Sequence, residues 1–241
     1  MPELPAPLPP DERTVGQLVA ESIRFYGAHF WAVLPLGLPL ALADQASIDH
    51  HLAVQALVYW AATPLFVAGY LWAIRVVLDG ELTAGAVLVA TLVWLPFPAL
   101  RAIFLTLPGI AWLAFIGLAV PAAAVEKLRF RDALVRGRQL GSADYVHALG
   151  SLAALVIVVG VSSFTLSTLL HSQGSTGQRV ALLLSDVVLS PLLFIGGALL
   201  YVDQAARVGS PRHHRRSRRD ADLHPSVDAD AAGRPDPQVE P

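Results

Sequence analysis

The sequence predicts an all-α integral membrane protein with six transmembrane helices and two interfacial amphipathic helices. Hydrophobic residues make up 54% of the 241-residue chain and charged residues only 15%, whereas soluble domains carry about 25% charged residues. The 24 residues from Ala102 to Val125 include no Asp, Glu, Lys or Arg. As a helix they would extend about 36 Å, which is enough to cross a hydrocarbon core of roughly 30 Å.

The N-terminal region combines a proline-rich stretch with an amphipathic pattern. Residues 1–13 are rich in proline, and we expect them to be disordered. Thr14 and Gln17 have the spacing of a capping box. Apolar residues then recur at helical spacing, which predicts a helix over residues 14–27 that lies in the membrane interface. The alternative is that this stretch forms only the solvated first turns of the first transmembrane helix.

Six apolar segments follow within one membrane domain, residues 14–207. Pro35 and Pro39 are expected to kink the first segment, and neighbouring helices can satisfy the carbonyl groups that the kinks release. A polar loop, residues 44–51, separates the first two segments. We place the transmembrane helices near residues 29–45, 52–75, 82–100, 102–125, 146–170 and 180–202.

Two polar segments lie outside these spans. Residues 126–144 contain five Lys or Arg residues, and we expect them to form the second interfacial helix. Residues 208–241 are rich in charge and proline with no apolar periodicity, which is typical of a disordered tail.

The positive charges predict the orientation. With six spans, the side that holds both termini receives 15 of the 17 Lys and Arg residues, and the other side receives only Arg101 and Arg179. Loops rich in Lys and Arg remain in the cytoplasm. We therefore expect a multi-pass protein of the cell membrane with both termini in the cytoplasm. Arg75 and Asp203 are interpreted as ordinary cytoplasmic flanks of their helices.

Asp186 is an acidic residue inside the predicted sixth span. A central Asp costs about 2.5 to 3.5 kcal/mol on insertion, so by default it indicates a functional site with a partner. The partners that the sequence offers are Arg101 and Arg179, both near the extracytoplasmic boundary. The alternative is that the Asp186 side chain extends to that boundary, one to two helical turns away.

The fifth span contains a cluster of hydroxyl groups. Small hydroxylated residues most often serve helix–helix packing in membranes, and the alternative is a solute path lined by hydroxyls. The cluster consists of Ser162, Ser163, Thr165, Ser167 and Thr168.

A basic cluster in the tail begins about ten residues beyond the last span. Such a cluster is attracted to anionic lipid headgroups; the alternative is a stop-transfer flank that binds nothing. Its candidate headgroup contacts are Arg212, Arg215, Arg216, Arg218 and Arg219. No aromatic residues interleave with them for base stacking, so we expect no nucleic-acid partner.

Enzyme and metal motifs are missing from the sequence. The chain has no cysteine, and the adjacent His50 and His51 lack the i, i+4 spacing that directs two ligands at one metal. Phosphate-binding loops, nucleophile elbows and paired catalytic carboxylates are likewise not found. We therefore expect no catalytic residue, no metal and no cofactor.

Three segments resemble one family. Residues 14–30 are similar to an amphipathic helix that enters a first span, and residues 200–207 to a closing Leu-Tyr-hydrophobic-Asp-x-x-x-Arg motif. Residues 107–140 are similar to a Pro-Gly-Ile helix that leads to a Glu and then to an interfacial helix. Together they resemble the bacterial six-helix membrane proteins related to the membrane domain of glycerophosphoryl diester phosphodiesterases.

The resemblance implies a six-helix fold but no diesterase activity, because the hydrolase domain of that family has no counterpart in this sequence. It draws attention to Glu126, Arg136, Arg138 and Asp203 at the cytoplasmic rim. Glu126 is expected to pair with Arg136 or Arg138 and to hold the interfacial helix against the fourth span. Gly137 stands where the family favours Ser.

Two functional hypotheses follow. The first is a non-enzymatic scaffold that interacts with lipid or with an unknown membrane-protein partner. The second is a transporter or channel for a small solute or ion that uses Asp186 and the hydroxyls of the fifth span. A cavity connected to both Asp186 and Ser163 would favour transport, and a solid core would favour the scaffold.

Overall fold

The computed structural model describes residues 9–104, 107–169 and 174–209, and within these ranges it excludes the side chains of residues 101–104 and 174–175. Every regular element of the described ranges is helical, which confirms the all-α class. The helices are α1 (Val15–Ala28), α2 (Phe30–Val33), α3 (Leu38–Ser47), α4 (Leu52–Ala61), α5 (Thr63–Leu78), α6 (Ala84–Trp94), α7 (Phe97–Phe104), α8 (Leu107–Ile116), α9 (Ala119–Val125), α10 (Phe130–Ala143), α11 (Tyr145–Leu169), α12 (Gly174–Leu189) and α13 (Pro191–Gly209), with a 3-10 turn at Leu34–Gly37.

Several helices are long and apolar enough to cross a membrane, which indicates a membrane protein. Three single spans qualify: Leu107–Val125, Tyr145–Leu169 and Thr176–Gly209. Two bent pairs raise the number to five if each pair counts as one span: α1 with Phe30–Ser47, bent by 102°, and α4 with α5, bent by 49°.

Proline residues divide the apolar runs into shorter helices. Pro35 lies in the 3-10 turn, Pro64 in the first turn of α5, and Pro191 at the start of α13. A proline lacks the backbone N–H that would continue the helix and tolerates only the first turn of the next one. The run from Ala102 to Val125, predicted as one helix, is likewise divided: α7 extends to Phe104, α8 begins at Leu107, and a turn precedes α9.

Two indole groups bind carbonyl oxygens beside the break between α6 and α7. Trp112 Nε1 donates to the Val93 carbonyl at 2.8 Å, and Trp60 Nε1 donates to the Leu95 carbonyl at 3.2 Å. Apolar surroundings offer few other partners for carbonyls at a broken helix, so these bonds stabilise the break.

The N-terminal helix α1 is docked onto the bundle. Its predicted capping box is confirmed, because the Thr14 side chain accepts from Gln17 N while the Gln17 side chain accepts from Thr14 N. Leu18 and Ser22 are fully buried where α1 packs against α11 and α13. The chain then turns sharply at His29 into α2.

Helix α10 approaches α8 and α9 closely through small residues. Ala133, Gly137 and Gly141 recur every fourth residue and are buried. A Cβ atom on Gly137 would lie 2.5 Å from both the Cα and the backbone N of Ala119. No side chain fits in that space, so glycine at position 137 is required by the packing.

The apolar side chains are distributed as in a helical bundle surrounded by lipid. The α5, α6 and α13 helices supply much of the core, with Ile74, Val89 and Ile195 almost completely buried. By contrast, the outer face of α11 is open, and the exposed fractions of Val146 and Phe164 reach 81% and 74%. An apolar face of this kind is stable only against lipid or another apolar surface.

Candidate functional site

A cavity of about 320 Å³ lies among eight helices of the bundle, and we call it the bundle cavity. Small-molecule sites in proteins usually measure roughly 300 to 1,000 Å³. The lining is mostly aliphatic and aromatic, with a few polar side chains. The polar and aromatic lining residues are Asp44, Phe66, Tyr70, Trp94, Phe97, Ser163, Asp186, Ser190 and Phe194.

Two carboxyl groups line the bundle cavity, one from α3 and one from α12. Asp44 accepts a hydrogen bond from the Tyr59 hydroxyl. Asp186 is only 3% exposed, and the hydroxyl of Ser190 donates to its backbone carbonyl at 2.6 Å. The two acidic residues, 142 positions apart in the sequence, thus contribute to one site.

A close contact brings the segments of these acids together. A Cβ atom on Gly37 would lie 2.2 Å from the backbone oxygen of Val187. Gly37 directly precedes α3, and Val187 follows Asp186 on α12. Because glycine has no side chain, the two backbones can approach one another at this point.

Of the two partners that the sequence offers Asp186, Arg179 pairs with Asp49, and the side chain of Arg101 lies outside the described residues. A pair of Arg101 with Asp186 therefore stays a prediction, as does extension of Asp186 toward the membrane boundary. Asp186 itself is only 3% exposed and lies within the bundle. Asp186 belongs to the wall of a cavity.

Aromatic rings form a second part of the wall. Trp94 is at the middle of this group, and the centroids of its four neighbouring rings lie 5.2 to 6.1 Å from its own. These distances are typical of stacked and edge-to-face aromatic contacts. The four neighbours are Phe66, Tyr70, Phe97 and Phe194.

Two polar atoms of the lining have no hydrogen-bond partner among the residues that the structure describes. They are Trp94 Nε1, on a side chain that is 8% exposed, and Ser163 Oγ. A buried polar group without a partner is costly, about 1 to 3 kcal/mol. A water molecule or a ligand in the bundle cavity would satisfy both atoms.

A second polar cluster lies at one end of the bundle, and we call it the rim network. Its first part joins α10, α13 and the end of α9. Arg136 Nε donates to both carboxylate oxygens of Glu126 at 3.0 and 3.1 Å, and the Tyr201 hydroxyl donates to Glu126 Oε1 at 2.9 Å. Arg136 is thus the partner of Glu126, while Arg138 lies on the exposed face of α10.

The second part of the rim network joins the N-terminus to α13. Arg13 Nη1 lies 2.8 Å from Asp203 Oδ1, and the Asp203 side chain is completely buried. His147 Nε2 lies 3.7 Å from the other Asp203 oxygen. Asp203, which the sequence suggested as an ordinary flank of its helix, is thus a buried member of an ion pair.

Asp144 and Arg207 complete the rim network. Arg207 Nη1 donates to Asp144 Oδ2 at 2.6 Å, and Arg207 Nη2 donates to the Arg13 carbonyl at 2.7 Å. The Asp144 carbonyl accepts from Gln204 Nε2 at 3.0 Å. The network thus connects α1, α10, α11 and α13.

Sequence reasoning identified only part of the bundle cavity. It selected Asp186 and Ser163 but placed Asp44 in a loop and assigned the aromatic residues no role. The available signals were helical spacings, since Leu40 and Asp44 share one face of α3 and Phe66 and Tyr70 share one face of α5. The tail arginines Arg212, Arg215, Arg216, Arg218 and Arg219 lie outside the described residues.

The chain matches no protein-family model, no curated protein and no solved structure. The resemblance to the six-helix family therefore remains a prediction based on its three sequence segments.

Proposed function

We propose that this chain is a non-enzymatic membrane protein that binds a small, mainly apolar solute in the bundle cavity and carries it across the bilayer. One observation carries the proposal: Asp186 and Ser163, on different helices, line the same cavity. The volume, the apolar walls and the few polar groups match the general features of small-molecule sites.

The scaffold hypothesis predicts a solid core, and the bundle cavity speaks against it as the sole function. Contacts of the tail with anionic lipid, and an unknown protein partner, are compatible with transport. We retain them as secondary proposals.

We further propose six spans with both termini in the cytoplasm of a cell-membrane protein. Three single helices and two bent helix pairs account for five of these spans. The sixth is the shorter apolar helix Ala84–Leu100, whose 17 residues extend about 26 Å and would need slight thinning of the bilayer.

The distribution of charged contacts supports this topology. The rim network gathers Arg13, Arg136 and Arg207 at one end of the bundle, and Arg179 pairs with Asp49 elsewhere. Arg179 on α12 and Arg207 on α13 belong to one 34-residue span, Thr176–Gly209, and lie about 40 Å apart along it. The sequence assigned these groups to opposite sides of the membrane.

The proposal is tested by direct binding with three tritiated probes that share a phenyl group. These are benzyltrimethylammonium, benzenesulfonate and benzyl alcohol, measured by scintillation proximity on the purified chain. We expect saturable binding of at least one probe. Ser163→Phe should abolish it by filling the bundle cavity, whereas Ser162→Phe, at a neighbouring position outside the lining, should retain it.

Transport is then measured as uptake of any bound, membrane-impermeant probe into liposomes that contain the protein. Uptake above that of the Ser163→Phe variant supports transport. If the folded protein binds none of the three probes, the proposal is wrong and the scaffold hypothesis is preferred.

A further inference from the structure

We propose that the solute of the bundle cavity is a neutral, mainly apolar carbonyl compound, such as a ketone or an ester. Its carbonyl oxygen accepts a hydrogen bond from Trp94 Nε1, and the Ser163 hydroxyl is a second donor to the solute. This inference rests on the proposed function and names its substrate class. It depends on two buried donors in the wall of one cavity, one on α6 and one on α11.

The first donor is the Trp94 indole N–H, which differs from the other indoles of the chain. Trp60, Trp72 and Trp112 donate to backbone carbonyls at 2.8 to 3.2 Å, and Trp31 is 81% exposed. Trp94 is only 8% exposed, and its Nε1 has no hydrogen-bond partner among the described residues. Because a buried indole N–H usually finds a partner, we expect an acceptor to bind at this position.

The surrounding rings fix the orientation of Trp94. The Trp94 ring is nearly parallel to that of Phe66, at an interplanar angle of 13° and a centroid distance of 5.4 Å. Phe97 contacts it edge to face at 5.2 Å. Rotation of the indole toward another acceptor would break these contacts. The donor is therefore held in place before a solute binds, and such preorganisation strengthens binding.

The second donor is the Ser163 hydroxyl. Ser and Thr hydroxyls within a helix often donate to the carbonyl one turn earlier, as Thr165 does to Val161 and Thr168 does to Phe164, both at 2.8 Å. Ser163 Oγ is buried but has no such bond, and no other partner among the described residues. It therefore remains able to donate to a molecule in the bundle cavity.

The rest of the lining favours a neutral solute. None of the described lining residues is Lys, Arg or His, so a carboxylate or phosphate would lose its hydration without gaining a cationic partner. Asp44 and Asp186 both interact within the protein, so no ammonium group is required to pair with them. An ammonium group would also leave the Trp94 N–H without an acceptor. A carbonyl group on an apolar body satisfies the donor and suits the apolar walls.

Acetophenone and α-methylstyrene test the inference, because they have nearly the same shape and differ only in C=O against C=CH₂. Both are tritiated and measured by scintillation proximity on the purified chain, with the Ser163→Phe variant as the blank for partition into detergent. Trp94→Phe should weaken acetophenone binding about tenfold and leave α-methylstyrene within twofold. Ser163→Ala should weaken acetophenone about threefold, again with little effect on α-methylstyrene.

Infrared spectroscopy detects the hydrogen bond itself. The stretching frequency of a carbonyl group falls when its oxygen accepts a hydrogen bond. In difference spectra against the Ser163→Phe variant, carbonyl-¹³C-labelled acetophenone should absorb at lower frequency on the parent chain than in hexane. Trp94→Phe should move the band back toward the hexane value. If Trp94→Phe does not fold, the parent spectrum decides, and a band at the hexane frequency would overturn the inference.

Two matched variants serve as controls. Ser162→Ala lies beside Ser163 but outside the lining, and Trp31→Phe changes a residue that is 81% exposed. Both should bind the two compounds like the parent. Only variants with the parent's elution profile and unfolding temperature are compared.

The outcomes distinguish the inference from the proposed function. If both compounds bind and Trp94→Phe affects them equally, water satisfies the donor, the carbonyl class is wrong and solute binding remains. Binding of the charged probes alone would lead to the same conclusion. If neither compound nor any of the three earlier probes binds, both proposals are wrong. An effect of Trp94→Phe without one of Ser163→Ala would overturn the role of Ser163 as second donor.

Discussion

Arg13 and Asp203 form an ion pair at 2.8 Å although 190 positions separate them in the sequence. The Asp203 carboxylate is completely buried, and only 12% of the Arg13 side chain is exposed. The pair holds the segment before α1 against α13, the last helix of the bundle. Among the contacts of the rim network, only the bond from Arg207 to the Arg13 carbonyl joins residues that are farther apart in the sequence.

Loss of the Arg13 charge should destabilise the protein strongly. Removing one partner leaves a buried charge without compensation, which costs about 3 to 5 kcal/mol. We expect Arg13→Gln to lower the unfolding temperature in detergent, measured by tryptophan fluorescence. The double variant Arg13→Gln with Asp203→Asn should recover part of the loss.

Arg24→Gln is the matched control, because Arg24 pairs with Glu21 on the surface of α1 and is 61% exposed. Exposed pairs contribute little. If Arg13→Gln and Arg24→Gln unfold at the same temperature, the Arg13–Asp203 pair does not stabilise the docking of α1.

Charge reversal at Glu126 should reduce membrane abundance. Glu126→Lys would place a cation beside Arg136 and remove the acceptor of the Tyr201 hydroxyl. We expect α10 to detach from the end of α9, with lower yields of folded protein by fluorescence size-exclusion chromatography. The exchange Glu126→Arg with Arg136→Glu should restore part of the yield.

Lys127→Glu serves as the comparison for Glu126→Lys. Lys127 pairs with Glu81, and both side chains are 61% exposed, so its reversal should be tolerated. An unchanged yield for Glu126→Lys would show that this carboxylate does not hold α10 in place.

A single methyl group at position 137 should destabilise the bundle. The added Cβ of Gly137→Ala would lie 2.5 Å from the backbone of Ala119, so α9 and α10 must separate. By contrast, a Cβ at Gly27 meets no atom within 4 Å. Gly27→Ala should be neutral or slightly stabilising, since Ala favours helix over Gly by about 1 kcal/mol.

Thermal unfolding of the two purified variants measures this difference. Gly137→Ala should lower the unfolding temperature, whereas Gly27→Ala should leave it unchanged or raise it slightly. Equal unfolding temperatures would contradict the close approach of α10 to α9.

Reporter fusions should place Ser47 and Gly174 outside the cytoplasm and Gly80 and the C-terminus inside it. This pattern follows from six spans and is read with paired alkaline phosphatase and fluorescent-protein fusions. If Ala84–Leu100 does not cross the membrane, the later segments reverse their orientation. A cytoplasmic signal at Gly174 would therefore rule out six spans.

The sequence predicted features that depend on local composition or short spacing. Hydropathy over a window of about 20 residues predicts a membrane class, and Thr14 with Gln17 predicts a helix start. The Glu126–Arg136 contact could be predicted for the same reason, because the two residues lie only ten positions apart on either side of a short connection. Their charges and the helical signal of α10 bring them close.

Features that depend on tertiary packing were not predictable in this way. Asp44 was interpreted as part of a loop because a charged residue after an apolar run usually ends a helix. The structure continues α3 to Ser47 and brings Asp44 to a cavity shared with α12. Likewise, nothing near Asp203 in the sequence indicates its contact with Arg13, because the two come together only when α1 docks on α13.

The contact between Arg13 and Asp203 also has a consequence for the order of biogenesis. Its two partners are 190 residues apart, and at synthesis rates of about 5 to 20 residues per second the second appears roughly 10 to 40 s after the first. Until then α1 cannot reach its final position, and its buried face must stay with lipid or with the insertion machinery. The contact can therefore form only after α13 has been made, and in a chain arrested before α13 the buried face of α1 would lack its final packing surface.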